Sequence, residues 1–155
     1  MSTDTLEQLR QAHRTMADLL EQLSAVQTPV QARTTLTLAA ATIELNLGER
    51  YAGVVLDDAG QPSYHLILLA GQAEDVNWTD SMAWARKAGG ELPTRREQAL
   101  LYANAKSEFE AAWYWSGEEH TNGSYAWDQF FGNGYSSSNA KSCEARARAV
   151  RRFTA

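Results

Sequence analysis

The sequence predicts an α+β fold: an N-terminal helix, then a hairpin, two further helices, and short antiparallel strands joined by long loops. Three observations lead there. Residues 5–26 carry an apolar stripe at helical spacing, and two β-prone runs flank a turn-rich stretch at 57–62. Beyond residue 112, short aromatic pieces alternate with clusters of Gly, Asn and Ser. At 155 residues the chain has room for one compact domain and a modest extra segment. We divide it into an amphipathic helix at 1–28, a connector at 29–47 and a main domain at 48–155.

In the first segment Leu6, Leu9, His13, Met16, Leu20 and Leu23 follow an unbroken 3-4-3-4-3 spacing, the a and d positions of a heptad repeat. Thr3 or Asp4 suits the cap, and Thr28-Pro29 ends the helix. A helix of this length is marginal alone in water, so its stripe needs a partner. Two partners fit: the chain's own domain, or identical subunits in a parallel coiled coil. In the second case His13 at an a position restricts the register at some cost in stability. Residues 30–49 are mixed, because Thr35–Leu38 alternates like a strand whereas Ala39–Leu47 suits a helix. The residues do not decide between them.

The main domain opens near Gly48. Tyr51–Leu56 and Tyr64–Ala70 are apolar runs around Asp57-Asp58-Ala59-Gly60-Gln61-Pro62, the pattern of a hairpin with a longer loop. A helix follows, with Thr79 as its expected cap, Met82, Trp84, Ala85 and Ala88 along it, and Gly89-Gly90 as its stop. Thr94-Arg95-Arg96-Glu97 is a complete capping box for the next helix, whose expected face is Ala99, Leu100, Leu101 and Ala103. Trp113-Tyr114-Trp115, Tyr125-Ala126-Trp127, Phe130-Phe131 and Ala147–Phe153 are β-like, with polar loops expected at 117–124 and 132–142. Loops this long in a compact domain are commonly functional. The three tryptophans of these pieces are read as core, since large aromatics at strand positions fill interiors.

The order of elements, with certain residues in place, resembles the C-type-lectin-fold domains of phage tail and prophage proteins. The closest likeness is to Lcl C-terminal-like domains and to the variable proteins of diversity-generating retroelements. The resemblance rests on Gly90-Glu91-Leu92-Pro93-Thr94-Arg95-Arg96-Glu97, on Tyr114-Trp115-Ser116-Gly117-Glu118, on Tyr125-Ala126-Trp127, and on Arg146-Ala147-Arg148-Ala149-Val150-Arg151-Arg152. It covers residues 48–153 and leaves residues 1–47 outside. It implies a C-type-lectin-like fold whose first and last strands pair and brace irregular loops. It also implies recognition by the stretch between the Trp-Ser signature and the final strand. Carried over, the contact residues are Glu119, His120, Thr121, Asn122, Ser124, Tyr125, Asp128, Gln129, Phe131, Asn133, Tyr135, Ser136, Ser137, Ser138 and Asn139. Their mixture is that of a paratope, in which aromatic rings give rigid area and Ser and Asn give adaptable hydrogen bonds. The chain departs from calcium-dependent sugar lectins: it has Gln61-Pro62-Ser63 in the wrong place and no Trp-Asn-Asp. It departs from formylglycine-generating enzymes as well, whose chemistry needs paired cysteines.

Charge and composition narrow the function further. A net charge of −5 opposes non-specific nucleic-acid binding, although Arg146, Arg148, Arg151 and Arg152 leave room for a local anion contact. Alternating with Ala147 and Ala149, these arginines are expected on the solvent face of a strand. Cys143 is the one cysteine, so it forms neither an internal disulfide nor a thiolate cluster, and it is read as structural. The chain opens without a basic-then-apolar signal, and its most apolar run, Leu36–Leu47, is too short for a membrane span. We therefore expect synthesis in a cytoplasm and no membrane insertion, while the resemblance to phage proteins implies a bacterial cytoplasm and admits association with a virion.

His13, His65 and His120 have no His or Cys at metal-ligand spacing, so neither a metal nor another cofactor is expected. No Gly-x-Ser-x-Gly elbow is present. The expected function is non-enzymatic: a ligand- or receptor-binding protein of phage or prophage type, recognising a protein or glycan on a cell surface. It would multimerise through residues 5–26. Two rivals stay open. One is a structural or assembly protein of a phage particle; the other is a hydrolase using the Glu118-Glu119 carboxylate pair.

Overall fold

The computed structural model describes residues 3–25 and 41–154. They belong to two units, Met1–Thr37 and Leu38–Ala155. In the first, helix α1 runs from Thr3 to Ala25. Its heptad stripe is exposed, with Leu6 44%, Leu9 60%, Met16 59%, Leu20 63% and Leu23 68% open. The Thr28-Pro29 stop and the choice between strand and helix over 30–40 lie outside the described residues. Residues 41–46 form neither helix nor strand.

The second unit is α+β. Among the described residues it holds two longer helices and two sheets, and no barrel. β1 (Arg50–Leu56) and β2 (Pro62–Leu68) form the expected antiparallel hairpin, and β8 (Val150–Phe153) adds to β2 to give the order β1-β2-β8. The last strand therefore returns to the second rather than the first. β3 (Ala73–Val76), β7 (Ala145–Ala147), β4 (Trp113–Glu119), β5 (Tyr125–Phe130) and β6 (Tyr135–Ala140) make the second sheet in that spatial order. Its pairings are antiparallel except β4 with β7.

The helices start where their caps dictate. α2 (Trp78–Lys87) is capped by Asn77, whose side chain accepts from the Asp80 amide, so the expected cap at Thr79 is two residues too late. α3 (Arg95–Ala105) opens on the capping box: Thr94 accepts from the Glu97 amide, and the Glu97 carboxylate accepts from the Thr94 amide at 2.8 Å. The inward face of α3 is Glu97, Gln98, Leu101 and Ala105. Ala99 and Ala103, expected inside, are exposed. Period 3.6 places 97, 101 and 105 on one line, and the buried Glu97 disguised that line.

β4 partitions the interior. Tyr114 and Trp115 are adjacent, so their side chains leave opposite faces of the strand, and both are buried. Tyr114 joins Leu66, Leu68, Leu101, Phe131 and Val150 in one core cluster, where Phe109 stacks on Phe131 at 3.9 Å. Trp115 joins Leu92, Ala126, Ala147 and Ala149 in the other, beneath Met82, Trp84 and Ala85 of α2. Burying an indole of this size contributes on the order of 4–6 kcal/mol.

Three expectations about the C-terminal part fail. Residues 135–140, read as loop, form strand β6, because backbone pairing to β5 satisfies the chain whatever its side chains. The arginines do not line a free face. Arg148 is buried and donates to the Leu69 carbonyl, Arg151 grips Glu49, Arg152 grips Glu97, and Arg146 pairs with Glu110 and Glu74. Cys143 is exposed and does not fill a core position.

Candidate functional site

The residues expected to make contact fall on β4, β5, β6 and their two turns, and the strand register sorts them by face. On one face, row by row, lie Trp113, Phe130 and Tyr135, then Trp115, Asp128 and Ser137, then Ala126 and Asn139. On the other lie Tyr114, Gln129 and Ser136, then Trp127 and Ser138, then Tyr125 and Ala140.

Helix α3 fastens the second face at both ends. At its N-terminus the Arg95 guanidinium stacks on the Trp127 ring at 3.6 Å, and the Arg95 amide donates to Glu118. Towards its C-terminus Lys106 Nζ donates to the Gly132 carbonyl at 3.1 Å, and the Tyr102 ring lies beneath Gly134. Gly134 has φ +80°, and a Cβ there would stand 2.9 Å from Tyr102 Cε1. That closeness and the left-handed backbone together demand glycine. The turn 131–134 is thus held down, and it delivers Tyr135 with 63% of its surface open.

The first face carries an aromatic row outside both core clusters. Trp113 lies 5.5 Å from Phe130 and 6.2 Å from Tyr135 between ring centroids. Beside it, Asn139 donates to Asp128 Oδ2, while Asp128 Oδ1 finds no partner among the described residues. Burial pushes the Asp128 carboxyl up, and the Asn139 bond offsets this only in part. At the far end of the face Lys141 pairs with Glu119 at 2.7 Å and lies over the Trp78 ring.

The β4–β5 loop supplies a second aromatic group. His120 lies 4.9 Å from Trp127 and 6.4 Å from Tyr125. The His120 Nδ1 accepts from the Asn122 amide, Asn122 Oδ1 accepts from the Ser124 amide, and the Asn122 carbonyl accepts from the Tyr125 amide. Thr121 and Ser124 stand exposed beside them.

The expected contact set is therefore divided. Glu119, Thr121, Asn122, Ser124, Tyr125, Asn133, Tyr135 and Ser136 are exposed, and His120, Ser137, Ser138 and Asn139 are half-buried. Asp128, Gln129 and Phe131 are buried, with at most 5% of their surface open, which corrects their placement as contact residues. Phe130-Phe131 had to send one ring in and one out; Phe131 is the inner ring and Phe130 the outer. Of the tryptophans read as core only Trp115 is fully buried; Trp113 and Trp127 are half-exposed members of the two aromatic groups. Trp113, Phe130, Trp127 and Arg95 are thus the residues that sequence reasoning missed. The two-residue period does not separate them, because Trp113 shares its face with the fully buried Trp115.

Glu118 and Glu119 do not converge. Glu118 accepts at the α3 N-terminus, whereas Glu119 pairs with Lys141 on the opposite face. Among the described residues no three His, Cys, Asp or Glu side chains could hold a metal ion, and no helix is long and apolar enough to cross a membrane. A cleft of about 240 Å³ lies between Met82, Arg86, Glu91, Leu92, Thr94, Gly117 and Arg152. Two of its charges, Glu91 and Arg152, pair with each other.

No protein family matches the sequence, and no curated protein is similar to it.

Proposed function

We propose that the chain is a ligand- or receptor-binding protein of phage or prophage type, presenting a polar and aromatic surface on a C-type-lectin-like scaffold. The scaffold reading is supported by the order hairpin, two helices, then short strands with the last one returned to the hairpin. The recognition reading is carried by one observation: Trp113, Phe130 and Tyr135 stand in a cross-strand row outside both cores, next to the hydrogen-bonding groups of Ser137 and Asn139. Rigid rings that no core claims, beside small adaptable polar side chains, are the composition of a protein- or glycan-recognising surface. The partner is a protein or glycan on a cell surface.

The exposed heptad stripe of α1 supports self-association, which raises avidity without new contacts at the recognition face. Particle-bound display follows from the same reading.

Screening the full chain on glycan and surface-protein arrays tests recognition. The doubly substituted Phe130→Ala, Tyr135→Ala chain is expected to lose every specific hit while keeping the parent's thermal midpoint within a few degrees. Unchanged hits would remove the surface from consideration. For α1, Leu20→Asp should lower the sedimenting mass of the full chain, and a monomeric parent would refute the coiled-coil reading.

A further inference from the structure

A sheet edge displays unpaired amides and carbonyls, and proteins blunt it with bulges, charges, proline or a covering segment. Among the described residues, three of the four edges are treated in that way. Along β8, the Val150 amide and carbonyl are taken by Glu91. β1 begins at Arg50, has two register shifts, and gives its Ala52 and Leu56 carbonyls to Asn104 and Arg96. β3 is four residues long, carries Glu74 and Asp75, and bends at Asp75 with φ +50°.

β6 has none of these devices. Tyr135-Ser136-Ser137-Ser138-Asn139-Ala140 contains no charge, proline or glycine, and it pairs with β5 through six residues without a shift. The Lys141 amide points inward, donating to the Ser124 carbonyl at 2.9 Å. By the two-residue period of a strand, Ser137 and Asn139 also direct their backbone groups towards β5, and Ser136, Ser138 and Ala140 direct theirs away. The Ala140 carbonyl accepts from Cys143, which, among the described residues, leaves the amides and carbonyls of Ser136 and Ser138 as an unpaired outward ladder.

We infer that β6 pairs edge to edge with β6 of a second copy, running antiparallel about a two-fold axis through Ser137. A strand that meets its own copy needs small, uncharged side chains around the axis, and this one supplies them. Such a register sets Ser136 opposite Ser138 of the second copy, so two reciprocal pairs exchange about four backbone hydrogen bonds. Ser137 meets its own counterpart, Tyr135 meets Asn139, and Lys141 meets Asn133, so no like charges face each other. The faces of the sheet stay open. The aromatic row of each copy then lies on one continuous surface, and the two sheets become a single unit of twice the width. This inference goes beyond the recognition reading and stands or falls separately from it.

The test uses the full chain carrying Leu20→Asp, so that α1 does not mask a weak edge contact. Sedimentation equilibrium is expected to show a concentration-dependent dimer, weakened at least tenfold by Ser138→Pro. That substitution removes an outward amide and leaves the β5–β6 ladder intact, so circular dichroism should not change. Ser138→Lys should weaken the dimer similarly without the backbone restriction of proline. Hydrogen exchange should show the Ser136 and Ser138 amides protected only at high protein concentration, with Asn139 protected throughout. A dimer indifferent to both substitutions, or a chain monomeric at millimolar concentration, overturns the inference. So does a monomer that loses array hits on Ser138→Pro, since that outcome would give the edge to a foreign strand. Array hits lost on Tyr135→Ala with the dimer intact would leave both readings standing.

Discussion

Replacing Glu97 by alanine should cost the main unit about 3–4 kcal/mol, more than any surface substitution. Glu97 has no exposed surface, yet its carboxylate accepts from Tyr64 Oη at 2.7 Å, Arg152 Nε at 2.6 Å, Arg152 Nη2 at 2.9 Å and the Thr94 amide at 2.8 Å. One side chain thus ties β2, α3 and β8 together. Alanine leaves the Thr94 amide without its capping acceptor, about 1 kcal/mol, and the Tyr64 hydroxyl without its acceptor, about 1 kcal/mol. Stripping a buried cation of its partner costs roughly 3–5 kcal/mol, but the Arg152 side chain is 30% exposed and keeps Glu91, so about 1–2 kcal/mol applies. In a unit of this size that sum lowers Tm by roughly 12–16 °C, readable by calorimetry or urea unfolding. Glu97→Gln keeps the volume and one acceptor and should lose about half as much.

The pH dependence follows with a defined sign. Burial by itself would raise the Glu97 carboxyl, but Arg152, the Tyr64 hydroxyl and the Thr94 amide outweigh it and hold it below the ordinary range. Its stabilisation is therefore full above about pH 4.3, the unfolded value, and is lost as pH falls through the lower folded value. The gap between parent and Glu97→Gln should narrow in acid. A loss under about 1 kcal/mol at neutral pH, or a gap that widens in acid, would refute the assignment.

Asp128 should show the opposite trend: with its folded carboxyl raised by burial, its contribution is present in acid and is lost as pH rises through the folded value. Asp128→Asn should therefore flatten the stability profile above the ordinary aspartate value, and an unchanged slope in urea titrations would count against it. Gly134→Ala and Gly60→Ala both place a side chain at positive φ, +80° and +76°, but only at Gly134 does the new Cβ approach Tyr102 within 2.9 Å. The first should cost about 1–2 kcal/mol more than the second and reduce array binding by misplacing Tyr135, whereas equal losses would mean that Tyr102 yields freely.

Much of the frame was legible because it is set by local chemistry. The Thr94–Glu97 capping box, the glycine stop after α2, and the β1–β2 hairpin each follow from a few neighbouring residues, and the structure contains all three. The candidate surface was legible as a region but not residue by residue. Ser136, Ser137 and Ser138 have little strand preference, so nothing nearby announces β6; it exists because β5 offers six partners in register. Phe130 and Phe131 illustrate the same limit, since adjacency fixes that their rings diverge but not which ring the core receives. The C-terminal arginines alternate like a solvent face, yet Glu49, Glu97 and Glu110, distant in sequence, claim three of them.

By itself the sequence determined the α+β class, the positions of α1 and α3, and the hairpin. Tertiary structure alone decided that Trp113, Phe130 and Trp127 stand outside the cores, that Phe131 and Asp128 lie inside, and that, among the described residues, the β6 edge has no neighbouring strand. The physical reason is range: caps, turns and periodicity act over three or four residues, whereas the side of a sheet that becomes interior depends on which distant helix covers it.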